Sequence, residues 1–101
     1  MRFDKVIYLV AVTYQADSIG QQVEQPPARR KVYANEWSIS SSERYEAGRN
    51  DLKPERRYQV RTSEYQGEQL MEVSGVEYTI IGVEPRGEWT LLTGERKVAN
   101  G

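Results

Sequence analysis

The chain contains no cysteine and no histidine. Without cysteine there is no disulfide framework, no thiolate metal site and no thiol nucleophile. Without histidine the commonest general base and the commonest metal ligand are missing, and any histidine-based triad is excluded. An excess of charge of either sign is also lacking: 14 basic and 15 acidic residues leave a net charge of −1. A dedicated nucleic-acid binder is expected to be strongly basic. Long hydrophobic runs are absent as well. The most apolar stretch, Val6 to Val12, falls far short of the ~20 residues that cross a bilayer. Asp4 lies just ahead of that run and no small-residue cleavage pattern follows, so it reads as a buried strand of a soluble chain and not as a signal peptide. No membrane partner is expected. Gly82, Gly87 and Gly94 fall at hairpin ends with no helix after them, so no phosphate-binding loop is present. The Asp-rich calcium loop is missing too. No cofactor or metal is expected, nor any internal repeat or linker.

What the sequence does have is aromatic and β-branched residues on a polar background. Seven tyrosines and two tryptophans occur in 101 residues, a length that fits one domain. Lys5 to Tyr14 is apolar on both alternating faces, so a strand covered on both sides is expected. Asp17-Ser18-Ile19-Gly20 signals a turn. Gln21 to Arg30 holds Pro26-Pro27 and reads as an exposed loop or an edge. Lys31 to Ile39 alternates as a second long strand. Ser40 to Asn50 is the one candidate helix, with Ser40 and Glu43 spaced as a capping box and Gly48 or Asn50 able to end it. So short and polar a helix must pack on the β core through Tyr45 and Ala47, or be mobile.

From Glu55 onward the pattern reads as a β-meander. Arg57 to Ser63 alternates, and turns follow at Gln66-Gly67, Ser74-Gly75 and Pro85-Arg86-Gly87. The tail from Gly94 to Gly101 reads as loose. The fold class expected is mainly β: a small antiparallel β-barrel or sandwich of about six strands with one short helix or loop insertion, as a single domain over residues 1–101.

Candidate chemistry is sparse. Glu43, Glu46, Asp51, Glu64 and Glu68 keep a paired-carboxylate hydrolase open, against the plainer reading of a solvated charged face. Two basic clusters, Arg29-Arg30-Lys31 and Arg56-Arg57 with Arg61, lie near Tyr33 and Tyr58. They resemble a single-strand binding surface, but the near-zero net charge favours pairing with glutamates across strands or between subunits. Tyr33 and Trp37 share one face of a strand, with Trp89 elsewhere. Core packing is expected of at least one tryptophan, and a partner surface is the second reading.

The order of several short stretches carries a resemblance. They are Val32-Tyr33-Ala34, the run from Ser40 to Gly48, Leu52-Lys53-Pro54-Glu55, Tyr58-Gln59-Val60, Glu64-Tyr65-Gln66-Gly67-Glu68 and Val76-Glu77-Tyr78-Thr79-Ile80. Asp17 and Gly20 fit an opening Asp-x-x-Gly turn. Together they resemble the head closure, or head–tail connector/adaptor, family of tailed bacteriophages, including the stopper proteins of long-tailed phages. The likeness runs from about residue 3 to residue 93 and rests on order and spacing, since no single piece is specific. It departs at Arg29-Arg30-Lys31, where family members vary, and no function is carried onto those residues.

The resemblance implies a non-enzymatic structural protein of the virion, made in the host cytoplasm. It would form a homo-oligomeric ring (a dodecamer, from the family) beneath the portal or adaptor layer and above a tail protein, closing the DNA-filled head. The adaptors of such systems are largely helical, which favours the stopper layer over an adaptor or tail-terminator ring. Ile39 to Pro54 is the expected channel-gating segment, through Glu43, Arg44, Tyr45, Glu46, Arg49 and Asp51, because it is polar and only marginally helical. Its nearly balanced charge would limit adhesion to passing DNA, contacted non-specifically. Tyr33, Trp37, Arg57 and Arg61 are the expected subunit or partner contacts. The alternative class is a small β-barrel binding module for nucleic acid or peptide.

Overall fold

The structure, a computed structural model, describes residues 5–16 and 18–97. Its strands are β1 (Lys5–Ala11), β2 (Tyr14–Ala16), β3 (Gln22–Glu24), β4 (Ala28–Trp37), β5 (Pro54–Arg61), β6 (Leu70–Val73), β7 (Val76–Arg86) and β8 (Trp89–Arg96). One helix, α1 (Ser41–Gly48), joins β4 to β5, and a single 3-10 turn covers Thr62–Glu64. Six strands close into an antiparallel barrel in the order β1-β4-β5-β8-β7-β6, with β6 returning to β1. The expected small β-barrel with one helical insertion is what the chain forms.

Alternation builds the barrel. Ile7 and Leu9 of β1, Val32 and Ala34 of β4, Tyr58 and Val60 of β5, Met71, Tyr78 and Leu92 point inward and form the core. Successive strand residues face opposite sides, so each barrel strand contributes only its alternate side chains. The β6–β7 hairpin turns at Ser74 and Gly75, with φ of 50° and 81°, the positive pair that a two-residue type I′ turn requires. Gly94 is demanded by packing. A Cβ there would run into the end of Met71 and lie 2.9 Å from Tyr78 Cβ.

Several expectations are corrected. The first strand ends at Ala11 and not at Tyr14. Gln69 Oε1 accepts from the Val12 N–H at 3.0 Å, standing in for a strand neighbour where the chain turns away. Tyr14 opens a separate two-stranded ribbon, β2–β3, which takes up part of the expected loop. The outer face of β1 is only partly covered: Val10 is buried but Val6 is 40% exposed. Residues from Glu55 on do not form one meander. β5 pairs with β4 and β8, and the chain crosses the barrel end before the β6–β7–β8 meander begins. Gly94 to Arg96 belong to β8 and not to a loose tail, while residues 98–101 lie outside the described ones. Neither tryptophan joins the core, whose aromatic residues are Tyr58 and Tyr78.

Polar groups close both barrel ends. At one end Arg30, facing inward beyond Val32, binds Glu64 Oε2 at 3.0 Å and Glu68 Oε2 at 2.7 Å, and also donates to the Glu64 carbonyl. Glu68 is buried and takes a further hydrogen bond from the Gln66 N–H at 2.6 Å. Burial alone would raise its pKa, but the Arg30 and backbone hydrogen bonds outweigh that and hold it below the ordinary glutamate value. At the other end Arg56 binds Glu36 at 2.9 Å beside Tyr58 and Tyr78.

Candidate functional site

The insertion between β4 and β5 starts as its sequence indicates. Ser40 is the N-cap, its hydroxyl accepting from the Glu43 N–H at 3.2 Å while Glu43 Oε2 accepts from the Ser40 N–H at 2.9 Å. That reciprocal pair satisfies two orphan donors of the first turn. The helix ends at Gly48, one of the two residues expected to end it, but the left-handed cap comes later. Neither Gly48 nor Asn50 takes the left-handed conformation; Asp51 does, with φ of 59°. Leu52 N–H bonds to the Ala47 carbonyl and Asp51 N–H to the Gly48 carbonyl, which is the Schellman pattern with an aspartate at its left-handed position.

The helix buries no residue. Tyr45, expected to anchor it, is 70% exposed, and Ala47 is only half-buried. What holds the helix is electrostatic. Arg57 Nη1 lies 3.0 and 3.1 Å from the two carboxylate oxygens of Glu43, and Arg57 Nε donates to Thr93 Oγ1 at 3.0 Å. The Ser40 backbone bond first, and Arg57 second, lower the Glu43 pKa. At the far end the Lys53 N–H donates to Glu95 Oε1 at 3.0 Å. Pro54 is buried and opens β5, so the insertion ends at Lys53 and not at Pro54. Between the two ties, Arg44, Tyr45, Glu46, Arg49 and Asp51 are exposed. Arg49 pairs with Glu46, one turn away at 3.8 Å.

A groove of about 510 Å³ separates the insertion from the barrel wall, lined by Trp37, Glu43, Arg57, Glu84, Arg86 and Leu91 among others. Of the expected contact residues, Trp37 and Arg57 therefore meet at this groove, Arg57 committed to the helix within its own chain. Tyr33 and Arg61 lie apart from it. Tyr33 is 56% exposed on the outer face of β4, with Lys31 Nζ 5.3 Å above its ring. Arg61 stacks 4.9 Å over Trp89. Both border a second groove of about 330 Å³ with Lys31, Val32 and Glu64.

Four of the six residues in the basic clusters pair with glutamates on other elements, while Lys31 and Arg61 lie over aromatic rings. Arg29 binds Glu72 and lies 4.5 Å over the Tyr8 ring. Arg30 holds Glu64 and Glu68, Arg56 holds Glu36, and Arg57 holds Glu43. The sequence located both clusters but not their partners, which stand between 14 and 43 residues away along the chain. Compared with protein-family models and with curated proteins, the chain matches none.

Proposed function

We propose that this chain is a head closure subunit of a tailed bacteriophage, its barrel forming the body of a ring beneath the portal and its insertion, Ser38 to Lys53, closing the channel. The observation that carries the reading is the contrast within one small chain. A closed barrel with a contiguous core supports a helical insertion with no buried residue, tied at its two ends by the Glu43–Arg57 and Glu95–Lys53 bonds. A gate needs this division, because the elements that move are those with few buried contacts while the frame stays rigid. The charge on the exposed stretch is nearly balanced, so DNA that passes it meets no large basic surface. The sequence resemblance supplies the setting: a ring with the portal or adaptor layer above and a tail protein below.

The experiment is deletion of the gene from the phage or prophage that carries it, followed by negative-stain electron microscopy of the lysate. Emptied heads beside finished, unattached tails are the expected result. Normal, DNA-filled, tailed particles contradict the proposal.

A further inference from the structure

The helix of the insertion is too weak to stand alone. It has eight residues and buries none of them, and isolated helices shorter than about 12–15 residues are marginal in water. Gly48 weakens it further, since glycine costs a helix more than alanine does. Its φ is not left-handed, and among the described residues no atom beyond the helix backbone and its chain neighbours lies within 4 Å of where its Cβ would stand. Neither packing nor turn geometry therefore demands a glycine there. What keeps the helix wound comes from outside it.

The bonds that start the helix and the bonds that dock it converge on one carboxylate. Glu43 Oε2 accepts from the Ser40 N–H at 2.9 Å, and Arg57 Nη1 reaches the same carboxylate at 3.0 and 3.1 Å. Arg57 is a fixed part of the barrel wall: its side chain is 16% exposed and its Nε donates to Thr93 Oγ1 of β8 at 3.0 Å. Glu43 is the movable partner, and it meets Ser40 and Arg57 together only while the first turn is wound. The other end repeats the arrangement along the backbone. The Leu52 N–H closes the helix on the Ala47 carbonyl at 3.0 Å, and the next amide, that of Lys53, donates to Glu95 Oε1 of β8 at 3.0 Å. Consecutive amides thus finish the helix and moor it.

We infer that the insertion opens by unwinding, not by swinging out as a formed helix, because the Glu43 carboxylate makes helix formation and docking a single event. Ordering and disordering of a segment is one of the ways in which proteins switch. The coupling is reciprocal. Whatever steadies the helix steadies both moorings, and whatever draws Arg57 away from Glu43 melts the helix. In the proposed gate the open state is then a polar loop and not a displaced rigid plug. The inference rests on that reading for its purpose alone, since the unwinding is a property of the isolated chain.

Hydrogen exchange of the isolated protein, followed amide by amide in NMR spectra, tests this. In the unaltered chain the bonded amides of Arg44, Arg49, Leu52 and Lys53 should share one opening free energy, below that of the β5 and β8 amides. Gly48→Ala should slow all four by about threefold and leave β5 and β8 as they were. Arg57→Leu should speed all four severalfold. Gly48→Ala slowing the helix amides but not Lys53 overturns the inference, because the moorings then open independently. Arg57→Leu leaving Arg44, Arg49 and Leu52 as protected as before also overturns it, the mark of a helix that stays wound without its dock. If Arg57→Leu does not fold, the Gly48→Ala comparison decides alone. Shared opening in a chain whose gene deletion leaves phage particles normal keeps the unwinding and discards the head closure role. Emptied heads with independent openings discard the unwinding alone.

Discussion

At the residue scale, three positions carry more than their sequence suggests. Gly94 faces Met71 and Tyr78 with no space for a methyl group. Gly94→Ala should destabilise the fold by about 1–3 kcal/mol through overpacking, read from urea unfolding. Asp51 holds a left-handed conformation that glycine adopts freely, so Asp51→Gly should raise stability by roughly 0.5–1 kcal/mol in the same assay. Glu68 is the residue of the Arg30 cluster whose titration matters. Its pKa is lowered in the folded state, so its stabilisation is present above the unfolded glutamate pKa and is lost as pH falls through the depressed folded value. Glu68→Ala should cost about 2 kcal/mol at neutral pH by leaving Arg30 and the Gln66 N–H short of a partner. Much of that difference from the unaltered chain should vanish as pH falls through the depressed folded value. The residue types were legible in the sequence. The juxtapositions were not, because Arg30 and Glu68 stand 38 residues apart and meet only when the barrel closes. Gly94, read as the start of a tail, carries no local mark of a neighbour contributed by two other strands.

At the element scale, the helix began where its capping box said it would, since Ser40 and Glu43 satisfy each other locally. Of the two expected alternatives, packing on the core through Tyr45 and Ala47 or a mobile helix, the first fails, because the insertion sits outside a barrel already filled by strand residues. Ser40→Ala should cost the helix about 1 kcal/mol. Arg57→Leu should release it from the barrel wall. Both should appear in hydrogen exchange as faster exchange confined to residues 41–52, with the amides of β5 and β8 unchanged; a uniform loss of protection would instead place the helix within the cooperative core. The first strand illustrates the opposite error. Its apolar alternation runs on through Val12 and Tyr14, but periodicity gives no sign of where the chain leaves one sheet for another, and the Gln69 bond to Val12 comes from a distant loop.

At the scale of the whole molecule, fold class followed from strand alternation and turn chemistry, while strand order did not. The glycine turns fix the β6–β7–β8 meander, but the crossover from β5 to β6 is set by the Arg30 cluster and by barrel closure. The radius of gyration is 15.0 Å, against about 13 Å for a compact chain of this length. Among the described residues the ribbon and the helical insertion stand outside the barrel wall, and the insertion is the part proposed to close the channel. A frame whose core is complete without its insertion predicts that the two can be separated. The most direct measurement replaces residues 41–51 with a short Gly-Ser linker in the producing phage and follows packaged DNA in purified heads by nuclease protection, with circular dichroism of the isolated protein alongside. The expected result is an intact β spectrum, rings that still assemble, and heads that lose their DNA. Heads that retain their DNA with the insertion removed would contradict the gate, and with it the division of labour on which the head closure reading rests.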